Sequence, residues 1–244
     1  MEFNGSLAAT LALCAVHVTV KHWRFLDGPR GHVWLSVAAG TALAYVFTYL
    51  LPKLAVIQQE IVEFQGPFSG FLRQQAYLLA LIGLLTLFAV DKAAARVPRQ
   101  TGLRLTRGLL LQTAIHGIYS VQLGYLLASF RQPDLGTYVL SAAILGLHLM
   151  GIDHHILHRH PIAFSAVLRW VFAACCLAGW AIGAFTERLE YAVMLSNTFV
   201  AGGIIVIAIR EELRDQHSTL LPFFVAVVLA AAGIVAVQLW QGAH

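Results

Sequence analysis

The sequence predicts an all-α fold, a polytopic bundle of membrane-spanning helices that forms one integral membrane domain over residues 1–244. Of the 244 residues, 59% are hydrophobic and only 11% are charged, whereas an ordinary soluble domain carries roughly 25% charged residues. The mean hydropathy of +0.73 points the same way. So few charges cannot cover the surface of a soluble globule, which excludes soluble enzymes, nucleic-acid-binding modules and disordered chains.

The apolar runs predict eight spans, because a helix needs ~20 residues to cross the hydrocarbon core. The first run is short and contains His17, and no Lys or Arg precedes it, so we expect a retained span rather than a cleaved signal. The connections between the runs are short. The predicted spans are Gly5–Val20, His32–Leu51, Leu72–Val90, Leu109–Ser129, Tyr138–Leu157, Phe164–Phe185, Tyr191–Ile209 and Leu220–Gln241.

The distribution of basic residues predicts the orientation. Of the 16 Lys and Arg residues, all but four follow spans 1, 3, 5 and 7. Basic loops resist translocation, so this side is cytoplasmic and both termini lie outside, in the periplasm if the membrane is a bacterial inner membrane. The stretch Asp91–Gly108 is then the main cytoplasmic loop.

The three cysteines lie in apolar runs. Cys175 and Cys176 are adjacent and point in different directions on a helix, which argues against a disulfide between them. We therefore interpret Cys14, Cys175 and Cys176 as small packing residues.

Spans 2 and 7 share a short pattern although they run in opposite directions. Span 2 contains Ala39-Gly40, and span 7 contains Ala201-Gly202; aligning these pairs also aligns Leu51 with Leu213. The pattern predicts that spans 1–3 and 6–8 are inverted repeats around spans 4 and 5, a 3+2+3 plan typical of transporters.

Two histidines are predicted to lie near the middle of the membrane. His116 is seven residues into span 4, and His148 is ten residues into span 5, which enters from the opposite side. Two neutral imidazoles at this depth can bind Zn²⁺ or a similar ion, or relay protons; alternatively they form an interhelical hydrogen bond. Ser120, four residues after His116, is placed to orient its imidazole or complete a metal shell.

The densest polar segment is Asp153–His160, at the predicted cytoplasmic end of span 5. Asp153 is the only acidic residue inside a span, and His154 and His158 share one helical face, a spacing that can chelate a metal ion. Asp153 would add an oxygen ligand. The alternative is an ordinary polar helix end at the membrane interface.

Span 4 also carries small residues at intervals of three and four positions. This face predicts close packing against a neighbouring helix. Its members are Gly117, Ser120, Gly124 and Ala128.

The layout resembles the ZIP (zinc/iron-regulated transporter-like) family. The shared features are eight spans, both termini outside, an enlarged loop after span 3, Ala39-Gly40 followed by Leu50-Leu51-Pro52, and Ala201-Gly202-Gly203 followed by Glu211-Glu212-Leu213. The resemblance implies an eight-helix bundle with a 3+2+3 inverted repeat and a metal site on spans 4 and 5. His116 and His148 match histidines of that site, whereas Ser120 occupies the position of an acid.

These observations give three interpretations of function. The first is a ZIP-like, non-enzymatic membrane protein that transports a divalent metal such as zinc, or a relative that has lost transport. The second is a non-catalytic membrane subunit that packs within a larger complex or as a homodimer. The third is haem or quinone chemistry with His116 and His148 as haem ligands.

Overall fold

The computed structural model describes residues 2–63, 75–95, 106–129, 135–185, 198–199, 201–203, 205 and 220–242, and the regular structure in this part of the chain is helical throughout. Two 3₁₀ turns, Val20–His22 and Arg24–Leu26, connect the first two helices. A short turn, Pro161–Ala163, leads through the π turn Phe164–Leu168 into the seventh helix. The main helices are α1 (Glu2–Thr19), α2 (Gly31–Tyr45), α3 (Leu51–Glu63), α4 (Gln75–Ala95), α5 (Arg107–Ala128), α6 (Leu135–Arg159), α7 (Arg169–Phe185) and α8 (Leu220–Gly242).

The helical class predicted from the sequence is confirmed. Among the described residues, four helices are long and apolar enough to cross a membrane, and Ala76–Thr86 is a shorter apolar helix. The predicted spans 1, 4, 5, 6 and 8 coincide with helices to within a few residues at their ends, span 3 overlaps α4, and span 2 ends within a helix that continues beyond it. The predicted span 7, Tyr191–Ile209, lies outside the described residues except for six positions. The four helices that are long and apolar enough to cross a membrane are Gly31–Val56, Leu135–Arg159, Pro161–Phe185 and Leu220–Leu239.

The predicted end of span 2 at Leu51 is wrong. The helix passes through a π turn, Val46–Leu50, and continues as α3. Pro52 has no N–H to donate to the carbonyl of Thr48 four residues earlier. Gln238 on α8 replaces that donor, because its Nε2 donates to the Thr48 carbonyl at 3.3 Å, so this carbonyl keeps a partner where the helix passes the proline.

One face of helix α1 lies in the centre of the bundle, and another face is exposed at Leu11. It packs against α5, α6 and α7, while α2 packs between α6 and α8. Large side chains that are completely or almost completely buried fill this centre, among them Leu13, Leu123, Leu145, Phe164 and Phe172. The short first span therefore carries His17 on the face that packs against other helices, which explains how it accommodates a polar residue.

The predicted small-residue face of span 4 is a close helix contact. A Cβ added to Gly124 on α5 would overlap the carbonyl oxygen of Cys176 on α7, and a Cβ added to Gly179 would overlap the carbonyl oxygen of Val121. The two backbones therefore touch, and glycine is required at both positions.

Helix α8 exposes a continuous apolar surface. Leu221, Val228 and Leu239 are each at least 65% exposed. Exposing such a surface to water is unfavourable in free energy, whereas lipid chains solvate it. The exposure agrees with a bilayer environment for this helix.

Candidate metal centre

The C-terminal end of α6 faces the loop that follows α1. His154 and His158 lie one turn apart on α6, so their rings share a helical face and their centroids are 4.2 Å apart. Asp27 follows the second 3₁₀ turn, Arg24–Leu26, which brings the α1–α2 loop over this face. The tight turns in that loop therefore position the carboxylate.

The three side chains form a compact group of ligand atoms. Asp27 Oδ1 lies 3.2 Å from Nε2 of His154 and 3.1 Å from Nε2 of His158, and the three atoms lie within 4.8 Å of one another. In a tetrahedral zinc site, ligand atoms 2.0–2.2 Å from the ion are about 3.3–3.6 Å apart. The two distances to Asp27 are slightly shorter than this, so a small adjustment would let the three side chains serve as ligands and leave a fourth position for water.

The hydrogen bonding of His158 favours a cation at this point. Its Nδ1 donates to the backbone carbonyl of His154 at 3.0 Å. A neutral His158 then presents an unprotonated Nε2 to the carboxylate oxygen of Asp27, and two acceptors cannot bond to each other. A proton or a metal ion between them removes the conflict, and a backbone carbonyl on the far nitrogen is a usual partner of a metal-binding histidine.

The site is open to solvent on one side. The side chain of His154 is 13% exposed, whereas His158 and Asp27 are 46% and 55% exposed. An ion can therefore reach the group from this exposed side without passing through the protein. The carboxylate also offsets one of the two charges of a divalent ion.

Asp153 does not join this group, contrary to the prediction that it adds an oxygen ligand to His154 and His158. It points into the bundle, where its Oδ2 accepts a hydrogen bond from Nδ1 of His17 at 2.7 Å. Both side chains are 1% exposed. Successive residues on a helix point about 100° apart, which is why Asp153 and His154 face different surroundings.

The buried pair leaves two atoms without a hydrogen bond to any described residue, His17 Nε2 and Asp153 Oδ1. The ring of Phe172 on α7 lies 5.7 Å from the ring of His17 and 6.1 Å from that of His116. The pair therefore lies at the junction of α1, α6 and α7, with Phe172 between it and α5.

The structure gives individual contacts for the predicted mid-membrane residues. His116 Nδ1 donates to the carbonyl of Gln112 at 2.8 Å, and the hydroxyl of Ser120 donates to the carbonyl of His116 at 2.8 Å, so it bonds to the backbone. His148 is buried and meets Tyr119 edge to face, with ring centroids 6.0 Å apart. Metal binding between His116 and His148 stays a prediction.

Sequence reasoning missed two residues, Asp27 and His17. Asp27 lies in a loop on the predicted cytoplasmic side, and span 5 ends on the same side. The predicted topology alone could therefore have suggested Asp27 as a partner of the residues at that end. His17 counted only as a polar interruption of span 1, although it and Asp153 are both ionisable residues inside spans and such residues pair with each other.

Comparisons of the chain with protein-family models, curated proteins and solved structures each found no match.

Proposed function

We propose that the chain is a ZIP-like membrane protein that binds and transports a divalent metal ion of the zinc type. The observation that carries the proposal is the group Asp27, His154 and His158, whose ligand atoms lie within 4.8 Å of one another at the water-facing end of α6. Two imidazoles and one carboxylate favour Zn²⁺ over Mg²⁺, which prefers an all-oxygen octahedral shell.

Pairs of equivalent helix contacts support the 3+2+3 plan. If spans 1–3 map onto spans 6–8 and span 4 onto span 5, the contact of α1 with α6 corresponds to that of α7 with α5, and both contacts are present. Gly40 on α2 faces α8, with a Cβ position 2.6 Å from the carbonyl oxygen of Phe223. Its counterpart, Gly202, packs against the backbone of Ala80 on α4, as the same mapping requires.

The location of the metal group suits the entry or exit of a transport path. The Asp27 group lies at the end of α6, and the neighbouring Asp153 points inward to His17. His148 on the same helix is buried deeper along it. Polar groups thus follow α6 from its solvent-exposed end into the bundle, which is the arrangement expected of an ion pathway.

Removing both imidazoles of the group tests metal binding. We expect the double variant His154→Ala/His158→Ala to bind Zn²⁺ at least about 10–100-fold more weakly than the parent. Loss of a residue that only orients a metal ligand already weakens metal binding by that factor. Calorimetric titration of the purified protein in detergent measures the affinity. The matched control is His155→Ala on the same helix, which should bind like the parent. Equal affinity of the parent and the double variant would contradict the assignment.

Acid should weaken zinc binding at this site. Protons compete with the metal for imidazole nitrogens, and an ordinary imidazole has a pKa of about 6.5. We expect the affinity to fall as the pH drops from about 7.5 to about 5.5, and the His154→Ala/His158→Ala variant to lose most of this dependence. An affinity that is constant over this range would mean that imidazoles are not the ligands.

Transport itself needs a flux measurement. We expect proteoliposomes that contain the parent protein to take up Zn²⁺, detected by a dye inside the vesicles, faster than protein-free liposomes. The His154→Ala/His158→Ala variant should lose most of this uptake, and His155→Ala should keep it. Uptake equal to that of empty liposomes by a parent that still binds zinc would favour a relative without transport or a structural subunit.

A further inference from the structure

Arg169 is a charged residue inside an apolar helix. It belongs to Pro161–Phe185, one of the helices long and apolar enough to cross a membrane. Its Nη1 donates to the carbonyl of Val18 at 3.1 Å, near the C-terminal end of α1. Its guanidinium lies over the ring of Trp170, with Cζ 4.7 Å from the ring centroid. The carbonyl and the ring offer only partial negative charge, whereas a charged residue in a spanning helix usually has a fully charged partner.

Within the described part of the chain, no carboxylate pairs with Arg169. The two acids at this end of the bundle, Asp27 and Asp153, pair with histidines. Arg169 is half-buried, and its Nε is enclosed without a hydrogen bond to any described residue. Since an arginine has five N–H donors, the tip of this guanidinium still carries donors for an external anion.

The surface next to Arg169 is apolar and open. Ile162, Val167 and Trp170 are each more than 40% exposed. Ile162 and Val167 are one π turn apart, so they share a side of the helix. In a membrane, such a surface meets lipid chains rather than water. An anion that reaches the guanidinium along this surface therefore carries apolar chains of its own.

The contacts of Arg169 place its guanidinium close to the water-facing end of the bundle. Its acceptor, Val18, follows His17, and His17 bonds to Asp153. Asp153 in turn precedes His154 of the candidate metal group, which is open to solvent. Neighbours on a helix differ by only 1.5 Å along its axis. The guanidinium thus lies near the level at which the helices meet water, which is where lipid headgroups lie.

We propose that Arg169 and Trp170 bind the headgroup phosphate of an anionic phospholipid, whose acyl chains lie against Ile162 and Val167. The guanidinium donates to the phosphate oxygens and matches their charge. The indole ring holds the guanidinium in place, and tryptophans are common at the level of the headgroups. A zwitterionic phospholipid is a weaker ligand, because its ammonium group offsets the phosphate charge that Arg169 binds.

Titration of the delipidated protein with phosphatidylglycerol in detergent, followed by native mass spectrometry, measures the affinity for the first bound lipid. We expect Arg169→Gln to weaken this affinity about 10-fold, since it removes charged hydrogen bonds to the phosphate. Trp170→Leu should weaken it about 2–5-fold through loss of the cation–π contact. The matched control is Arg24→Gln, which removes the same charge from an exposed position at the same end and should bind like the parent. The parent should bind phosphatidylcholine more weakly than phosphatidylglycerol.

Equal losses in Arg169→Gln and Arg24→Gln would overturn the proposal, because the lipid would then follow general charge attraction. Displacement of the lipid by an equal concentration of inorganic phosphate would also overturn it, since the acyl chains would have no part in binding. If Arg169→Gln does not fold, Arg169→Lys and the exposed Trp170→Leu decide: both should bind more weakly, and parent-like affinity in both contradicts the site. Zinc binding does not enter these outcomes, so failure here leaves the proposed function untouched.

Discussion

Replacing His17 with leucine should lower the free energy of unfolding by about 3–5 kcal/mol, the usual cost of leaving a buried ionisable group without its partner. The variant keeps the apolar volume but leaves the carboxylate of Asp153, which is 1% exposed, without its 2.7 Å hydrogen bond. Thermal unfolding in detergent, followed by circular dichroism, measures the change.

A second substitution separates the lost pair from lost packing. The double variant His17→Leu/Asp153→Ala removes the stranded carboxylate as well, so we expect it to be more stable than His17→Leu alone. The single variant Asp153→Ala gives the reference. If this substitution lowers the stability of His17→Leu as much as it lowers that of the parent, the two residues act independently and the pair does not stabilise the bundle.

The second large effect concerns the contact between α5 and α7. Gly124→Ala should cost at least the ~1–3 kcal/mol typical of overpacking, because the new methyl group meets the backbone carbonyl of Cys176, which cannot rotate away. Either α5 and α7 separate or the protein fails to fold. The yield of monodisperse protein and its melting temperature report both outcomes.

Gly117→Ala is the matched control on the same face of α5. Its Cβ would lie 3.4 Å from Sγ of Cys175, an almost ordinary contact with a side chain. Alanine is favoured over glycine in helices by about 1 kcal/mol, so this variant should be as stable as the parent or more stable. Equal effects of the two substitutions would mean that α5 and α7 do not touch at Gly124.

The sequence was sufficient to predict most of the helices, because long apolar runs signal both length and burial. It did not predict that the helix of span 2 continues past Pro52, where Gln238, nearly two hundred residues away, donates to the carbonyl of Thr48. No local pattern contains that information. The small-residue face of α5 was predictable, since its regular spacing depends only on the period of the helix.

Two of the three residues of the candidate metal group were predictable from the period of the helix. His154 and His158 are one turn apart on one helix, so their spacing alone predicts a shared face. Asp27 comes from a loop, and the sequence could predict that this loop and the two rings lie on the same side of the membrane, but not that Asp27 lies above them. Asp153 was assigned to the wrong surroundings because its partner, His17, lies on a helix far away in sequence.

The most direct test of the account is the position of zinc in the protein. Crystals grown with Zn²⁺, measured on both sides of the zinc absorption edge, should show an anomalous difference peak bounded by Oδ1 of Asp27 and Nε2 of His154 and of His158, whose ligand atoms lie within 4.8 Å of one another. A peak between His116 and His148 with none at this group, or no peak at all, would contradict the assignment.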